Sequence, residues 1–153
     1  NYDVFILKIS HMIEVFVQIK ASAQKIWDCF TQANHIQHWN FANADWHCPK
    51  AANDLVPGGH FSYTMAAKDG SFSFDLEGTF DRIAAPYELD YHLADGRKVF
   101  FKADETGMVT HTFEPEMENS EELQKQGWQS ILNEFSRYVQ NLKDTYRNAI
   151  LDE

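Results

Sequence analysis

The element that most constrains this chain is its last one. From Asn119 to Arg147 the apolar residues Leu123, Trp128, Ile131, Leu132, Phe135, Tyr138, Val139, Leu142 and Tyr146, with Gly127 among them, recur at the i, i+3, i+4, i+7 spacing of a helix buried along one face. Asn119 with Glu122 three residues on reads as an N-cap and capping box. Glu121 and Glu122 suit the positive end of the helix dipole, and Lys143 and Arg147 suit the other. Most of what precedes this helix is short alternating strand, and a sheet with one apolar face needs a partner to cover it. A single wide helix against a curved sheet leaves a space between the two, so the pattern predicts a cavity before it predicts any chemistry.

The strands are legible from their period. Ile13, Val15, Val17 and Ile19 alternate with mainly polar neighbours, Phe16 being the exception. Ser22 caps a short helix whose Ile26, Trp27 and Phe30 share a face, and a further helical turn runs through His35 to Trp39. Asn40 to Val56 reads as strand-poor and ends at the turn Pro57-Gly58-Gly59. A meander follows. Phe61, Tyr63 and Met65 turn at Asp69-Gly70 into Phe72, Phe74, Leu76, Gly78 and Phe80, whose intervening Asp75, Glu77 and Asp81 form a solvated face. After Pro86 come Tyr87, Leu89, Tyr91 and Leu93, then a turn at Asp95-Gly96, then Val99 and Phe101, then Val109, His111 and Phe113. The connections are too short for parallel crossovers, which predicts an antiparallel sheet. The expected class is α+β: a curved antiparallel sheet wrapped around a long C-terminal helix, with two short helices after the first strand.

With 153 residues the chain is sized for one domain, and 44% hydrophobic with 14% aromatic residues excludes a disordered chain. A net charge of -10 without a Lys or Arg block makes nucleic acid an unsuitable partner. No apolar run approaches the roughly 20 residues of a membrane span, so no membrane insertion is expected. Two cysteines, Cys29 and Cys48, suggest no disulfide framework and point to a reduced, cytoplasmic setting. The single domain is expected over residues 12–147, with 148–153 as a tail. Residues 1–11 are expected to be expression-derived or an extra segment, since Ser10-His11-Met12 resembles a vector scar.

Several local motifs carry a family likeness: Ser22 to Phe30, Trp39, Asp45-Trp46, Pro49, Asp54-Leu55-Val56-Pro57-Gly58-Gly59, Met65, Asp69-Gly70, Phe74 with Gly78-Thr79-Phe80, Asp95-Gly96-Arg97, Thr110-His111-Thr112-Phe113, and Gly127-Trp128. In this order they resemble the START-like helix-grip (SRPBCC) superfamily. More narrowly, they are similar to the carboxy-terminal domain of the heat-shock-protein-90 ATPase activator. The resemblance, over Ile13 to about Leu142, implies a helix-grip fold with a pocket under the sheet; relatives bind lipids, hormones or polyketides, and a few are cyclases or hydrolases. The family pattern places a basic residue before the glycine pair, where this chain has Val56-Pro57, so no charge-based role is carried over to that loop. The activator's co-chaperone work also uses a second domain, so a stress-related co-chaperone-like role is kept only as an alternative.

Strand parity puts Tyr63, Phe74, Tyr91, Phe101 and His111 on inward faces, with Trp39, Trp46, Trp128 and Leu132 placed to wall the same space. Rings supply burial and a few polar tips fix orientation, which suits a small apolar, aromatic or lipid-like ligand held without covalent chemistry. A core filled by these same rings is the competing reading. His35, His38, Asp45, His47 and Cys48 contain metal-binding atoms but match no defined spacing, so no metal or other cofactor is assigned. No catalytic residue is assigned either. There is no G-x-S-x-G and no inward pair of carboxylates, although a cyclase or hydrolase using the same pocket remains an alternative. Phe16 and Phe100, out of register with their strands, are the candidates for a homodimer or chaperone contact.

Overall fold

The computed structural model describes residues 11–143. The expectations for residues 1–10, for Tyr146 and Arg147, and for the tail 148–153 lie outside the described residues. The elements run β1 (Ile13–Gln18), α1 (Ala23–Thr31), α2 (Ala33–Ile36), β2 (Trp46–Asn53), β3 (His60–Ala67), β4 (Ser73–Ala84), β5 (Glu88–Leu93), β6 (Lys98–Ala103), β7 (Met108–Phe113) and α3 (Glu121–Asn141). The α+β architecture expected from the pattern, and the helix-grip fold that the resemblance implies, is the one adopted. Among the described residues all strands form one seven-stranded sheet in the order β1-β7-β6-β5-β4-β3-β2, with every pairing antiparallel.

Register explains which side chains face inward. Val15 pairs His111, His111 pairs Phe101, and Phe101 pairs Leu89, so an imidazole stands in one cross-sheet row with three almost fully buried apolar residues. The next row inward-facing is Ile13, Phe113, Val99, Tyr91 and Phe80. Phe16 pairs Thr110 and Phe100 pairs Thr112, which puts both rings on the opposite, outer face. The β6–β7 turn clamps the end of β1: the Ile19 N–H donates to Gly107 O at 2.8 Å, and Gly107 sits at φ +86° with Ile19 O where a Cβ would be. Only glycine fits there.

Helix α3 lies along β1 and touches α1. Leu132, Phe135 and Val139 are its buried apolar stripe, and the Phe135 ring meets Phe30 at 5.5 Å and Trp39 at 4.8 Å, edge to face. The buried Trp39 indole N–H is satisfied by Cys29 O at 2.8 Å.

Three expectations are corrected. The stretch Asn40 to Val56 contains β2, an edge strand whose register shifts between His47 and Lys50, around Pro49. That bulge breaks the alternation into fragments too short to stand out. The N-cap of α3 is Ser120, not Asn119: Ser120 Oγ accepts from Leu123 N at 3.1 Å, while Asn119 O accepts from the buried Gln124 amide at 2.8 Å. The helix ends at Asn141, with Leu142 already extended. Its C-terminal carbonyls meet a cation from another element, Lys25 Nζ donating to Leu142 O at 2.7 Å.

Candidate functional site

Between sheet and helix lies a cavity of about 240 Å³. Phe30, Thr31, Trp39 and Asn40 wall it from the α1–α2 side; Phe61, Tyr63, Met65, Phe74, Leu76 and Phe80 come from β3 and β4; Leu89, Tyr91, Leu93, Arg97 and His111 from the following strands; and Trp128, Ile131 and Leu132 from α3. Its opening follows from unequal strand lengths. On β4 the last residue paired to β5 at this end is Gly78, opposite Leu93, whereas Leu76 and Phe74 pair only with β3. β3 and β4 thus run on past the β5–β6 turn and leave a gap between that turn, their own far ends and α3. Exposure falls from 41% at Phe74 to 1% at Leu89, which orders the walls from mouth to floor. Gly78 contributes by what it lacks: a Cβ there would fall 2.5 Å from the Phe61 ring, which lies across the strand.

The polar groups in this apolar space are few and defined. Tyr91 Oη and His111 Nε2 lie 2.7 Å apart, both buried. Burial lowers the His111 pKa to about 3 and raises that of Tyr91, so the pair is neutral at ordinary pH. A neutral imidazole accepts at one nitrogen and donates at the other. With Nε2 accepting, the Tyr91 O–H is engaged; in the other tautomer Nε2–H donates to Tyr91 Oη and the phenol O–H is free to donate to a group in the cavity. The His111 ring packs edge-on to Trp128 at 5.0 Å, and Trp128 stacks on Phe113 at 3.9 Å. Tyr63 Oη accepts from Asn53 Nδ2 at 3.1 Å, the same amide donating to Thr31 O at 2.7 Å, and burial raises the Tyr63 pKa to about 12. Arg97 stands at the turn, its Nε donating to Asp95 Oδ2 at 2.8 Å.

Of the residues singled out from sequence, Trp39, Tyr63, Phe74, Tyr91, His111, Trp128 and Leu132 line this cavity. Trp46 and Phe101 do not. Trp46 packs against Phe72 and Phe74 at 6.1 and 6.3 Å on the rim of the sheet, because β2 is the edge strand beyond β3. Phe101 is covered by Phe30, stacked on it at 3.8 Å, and belongs to the core. Arg97 and Asn40 were not foreseen. Arg97 could have been: it follows Asp95-Gly96 and is tied across that turn to the inward Leu93, whose N–H donates to Arg97 O at 2.9 Å.

The His-rich segment separates into other roles. His35 Nδ1 contacts Tyr138 Oη at 2.5 Å, His38 stacks on the same ring at 5.6 Å, and the Cys48 thiol donates to Lys50 O at 3.6 Å. Among the described residues no three His, Cys, Asp or Glu side chains converge as metal ligands would. Nor is any described helix long and apolar enough to cross a membrane.

Residues 20–140, which supply every wall of the cavity, match the model of one family, described as Activator of Hsp90 ATPase homolog 1-like protein. The chain belongs to this family. Among solved structures, the solution structure of the AHSA1-like protein from Aeromonas hydrophila is similar at 40% identity and TM-score 0.80, over 84% of this chain and 92% of that one. A solution structure from Cytophaga hutchinsonii is similar at 41% identity and TM-score 0.70, over 85% and 91%. A crystal structure from Nitrosomonas europaea, at 16% identity and TM-score 0.71 over 86% and 96%, shares the fold. No curated protein matches the chain.

Proposed function

We propose that this AHSA1-like chain is a binding protein for a small, mainly apolar molecule, aromatic or lipid-like, held non-covalently between the sheet and α3. The observation that carries this reading is the cavity itself: an apolar space of about 240 Å³ with a buried, mutually satisfied phenol–imidazole pair at its inner end. Apolar walls with a few oriented polar groups suit binding by burial, with orientation set by hydrogen bonds. The test is native mass spectrometry of the purified protein together with a melting-temperature screen of metabolites and lipids. A ligand at about 100 times its dissociation constant stabilises by about 2.7 kcal/mol, a readily measured shift. A protein that retains nothing and that no ligand class stabilises would overturn the proposal.

A catalytic reading is favoured by one observation, the Tyr91–His111 contact, which can pass a proton to or from a bound molecule. Against covalent catalysis, the lining contains no Ser, Cys, Asp or Glu, and its one aliphatic hydroxyl, on Thr31, is spent on Trp27 O at 2.7 Å. His111→Ala discriminates: lost turnover of a bound substrate with the fold retained supports catalysis, whereas retained turnover excludes this pair from it.

A further inference from the structure

We infer that the ligand is a carboxylate-bearing amphipath, its acid group held at the cavity mouth by Arg97 and its apolar body running inward past Leu76, Leu93 and Ile131. This rests on the binding reading above and names the ligand's chemical class. Arg97 is the one lining residue that is charged at neutral pH, in a chain whose net charge is -10. A cation at the mouth of an apolar space is therefore not the by-product of a basic surface.

The side chain is also pre-set. Asp95 holds it by one edge only, accepting from the Arg97 backbone N–H at 3.1 Å and from Nε at 2.8 Å. Nη1 and Nη2 have no hydrogen-bond partner among the described residues and reach solvent at the mouth, on a side chain that is otherwise largely covered. Those two nitrogens present the fork that matches a carboxylate with paired bonds. A second carboxylate that interacts with Arg97, that of Glu116, is committed elsewhere. Glu116 feels the Arg97 charge, but its oxygens accept from the Glu118 and Asn119 N–H groups at 2.6 and 2.8 Å. A ligand acid group can displace water from this open fork and complete the guanidinium, and the modest cavity volume limits the attached chain to medium length.

The experiment measures dissociation constants of decanoate and of decanol, equal in chain and different in head group, on the whole protein and on Arg97→Met, Arg97→Gln and Arg97→Lys, each first checked for fold by circular dichroism. The intact protein is expected to prefer decanoate by about tenfold or more, the size of one charge-assisted contact. Arg97→Met and Arg97→Gln are expected to lose that preference with decanol binding unchanged, and Arg97→Lys to keep part of it. Two neutral substitutions of different shape guard against one failing to fold. If decanol binds as well as decanoate, or if both neutral variants keep the preference, the carboxylate assignment is overturned while the binding reading stands. If neither probe binds and the wider screen is also blank, both fall.

Discussion

Holding an imidazole neutral in an apolar row has a measurable cost in acid. His111 has its pKa lowered from 6.5 to about 3, so below pH 6.5 the unfolded chain takes up a proton that the folded chain refuses. Stability contributed at neutral pH is therefore lost as pH falls from about 6.5 toward 3, at roughly 1.4 kcal/mol per pH unit from this residue. His35, lowered by burial as well, acts in the same direction. Chemical denaturation of the protein and of His111→Gln between pH 7 and about pH 5, above the range where carboxylates titrate, is expected to show a shallower acid slope for the variant. Equal slopes would place the imidazole in a wetter setting than its burial implies. The thiols report on the same interior. Burial raises Cys29 to about 12 and raises Cys48 too, so neither is expected to react with iodoacetamide at pH 8 until the protein unfolds. Alkylation of the native state would contradict this packing.

At the scale of elements, α3 carries one residue that works against it and one that works for it. Gly127 sits within the helix, and a Cβ there would meet nothing within 4 Å. Gly127→Ala is expected to stabilise by about 0.5–1 kcal/mol in urea denaturation, through backbone entropy alone. Ser120→Ala, which removes the acceptor for Leu123 N, is expected to cost about 1 kcal/mol. How far these elements could be read from sequence depended on how unbroken their periods are. β1, β3, β5, β6 and β7 keep their alternation, and β4 keeps it from Phe74 to Phe80 before its register shifts ahead of Arg82, so the period shows them; β2 is interrupted near its start, with Pro49 inside the register shift between His47 and Lys50, and too little of its period is left to read. The helix start reads one residue early in the sequence because Asn119 and Ser120 are both good caps. What decides between them is the fixed loop before the helix, where Gln124 Nε2 bonds both Glu116 O and Asn119 O and its Oε1 accepts from Glu116 N at 2.9 Å. No local pattern announces that network.

For the molecule as a whole, parity told which side chains point inward but not which of them meet empty space. That second property depends on where one strand stops beside the next, so parity alone places Phe101 with the cavity residues and passes over Arg97. The same dependence makes the cavity easy to close. Ile131→Phe, on the helix side of the space, is expected to leave the melting temperature unchanged or raise it by a few degrees while abolishing any ligand-induced shift, the usual exchange of function for packing. A ligand shift that survived in this variant would locate binding elsewhere. The strand order also has a consequence for how the protein is made. Among the described strands β1 comes first in the chain, yet its one neighbour in the sheet is β7, which ends at Phe113. A nascent chain must carry Val15 and its companions unpaired until the whole meander has left the ribosome, so of these strands β1 offers a chaperone that shields short apolar segments its longest opportunity.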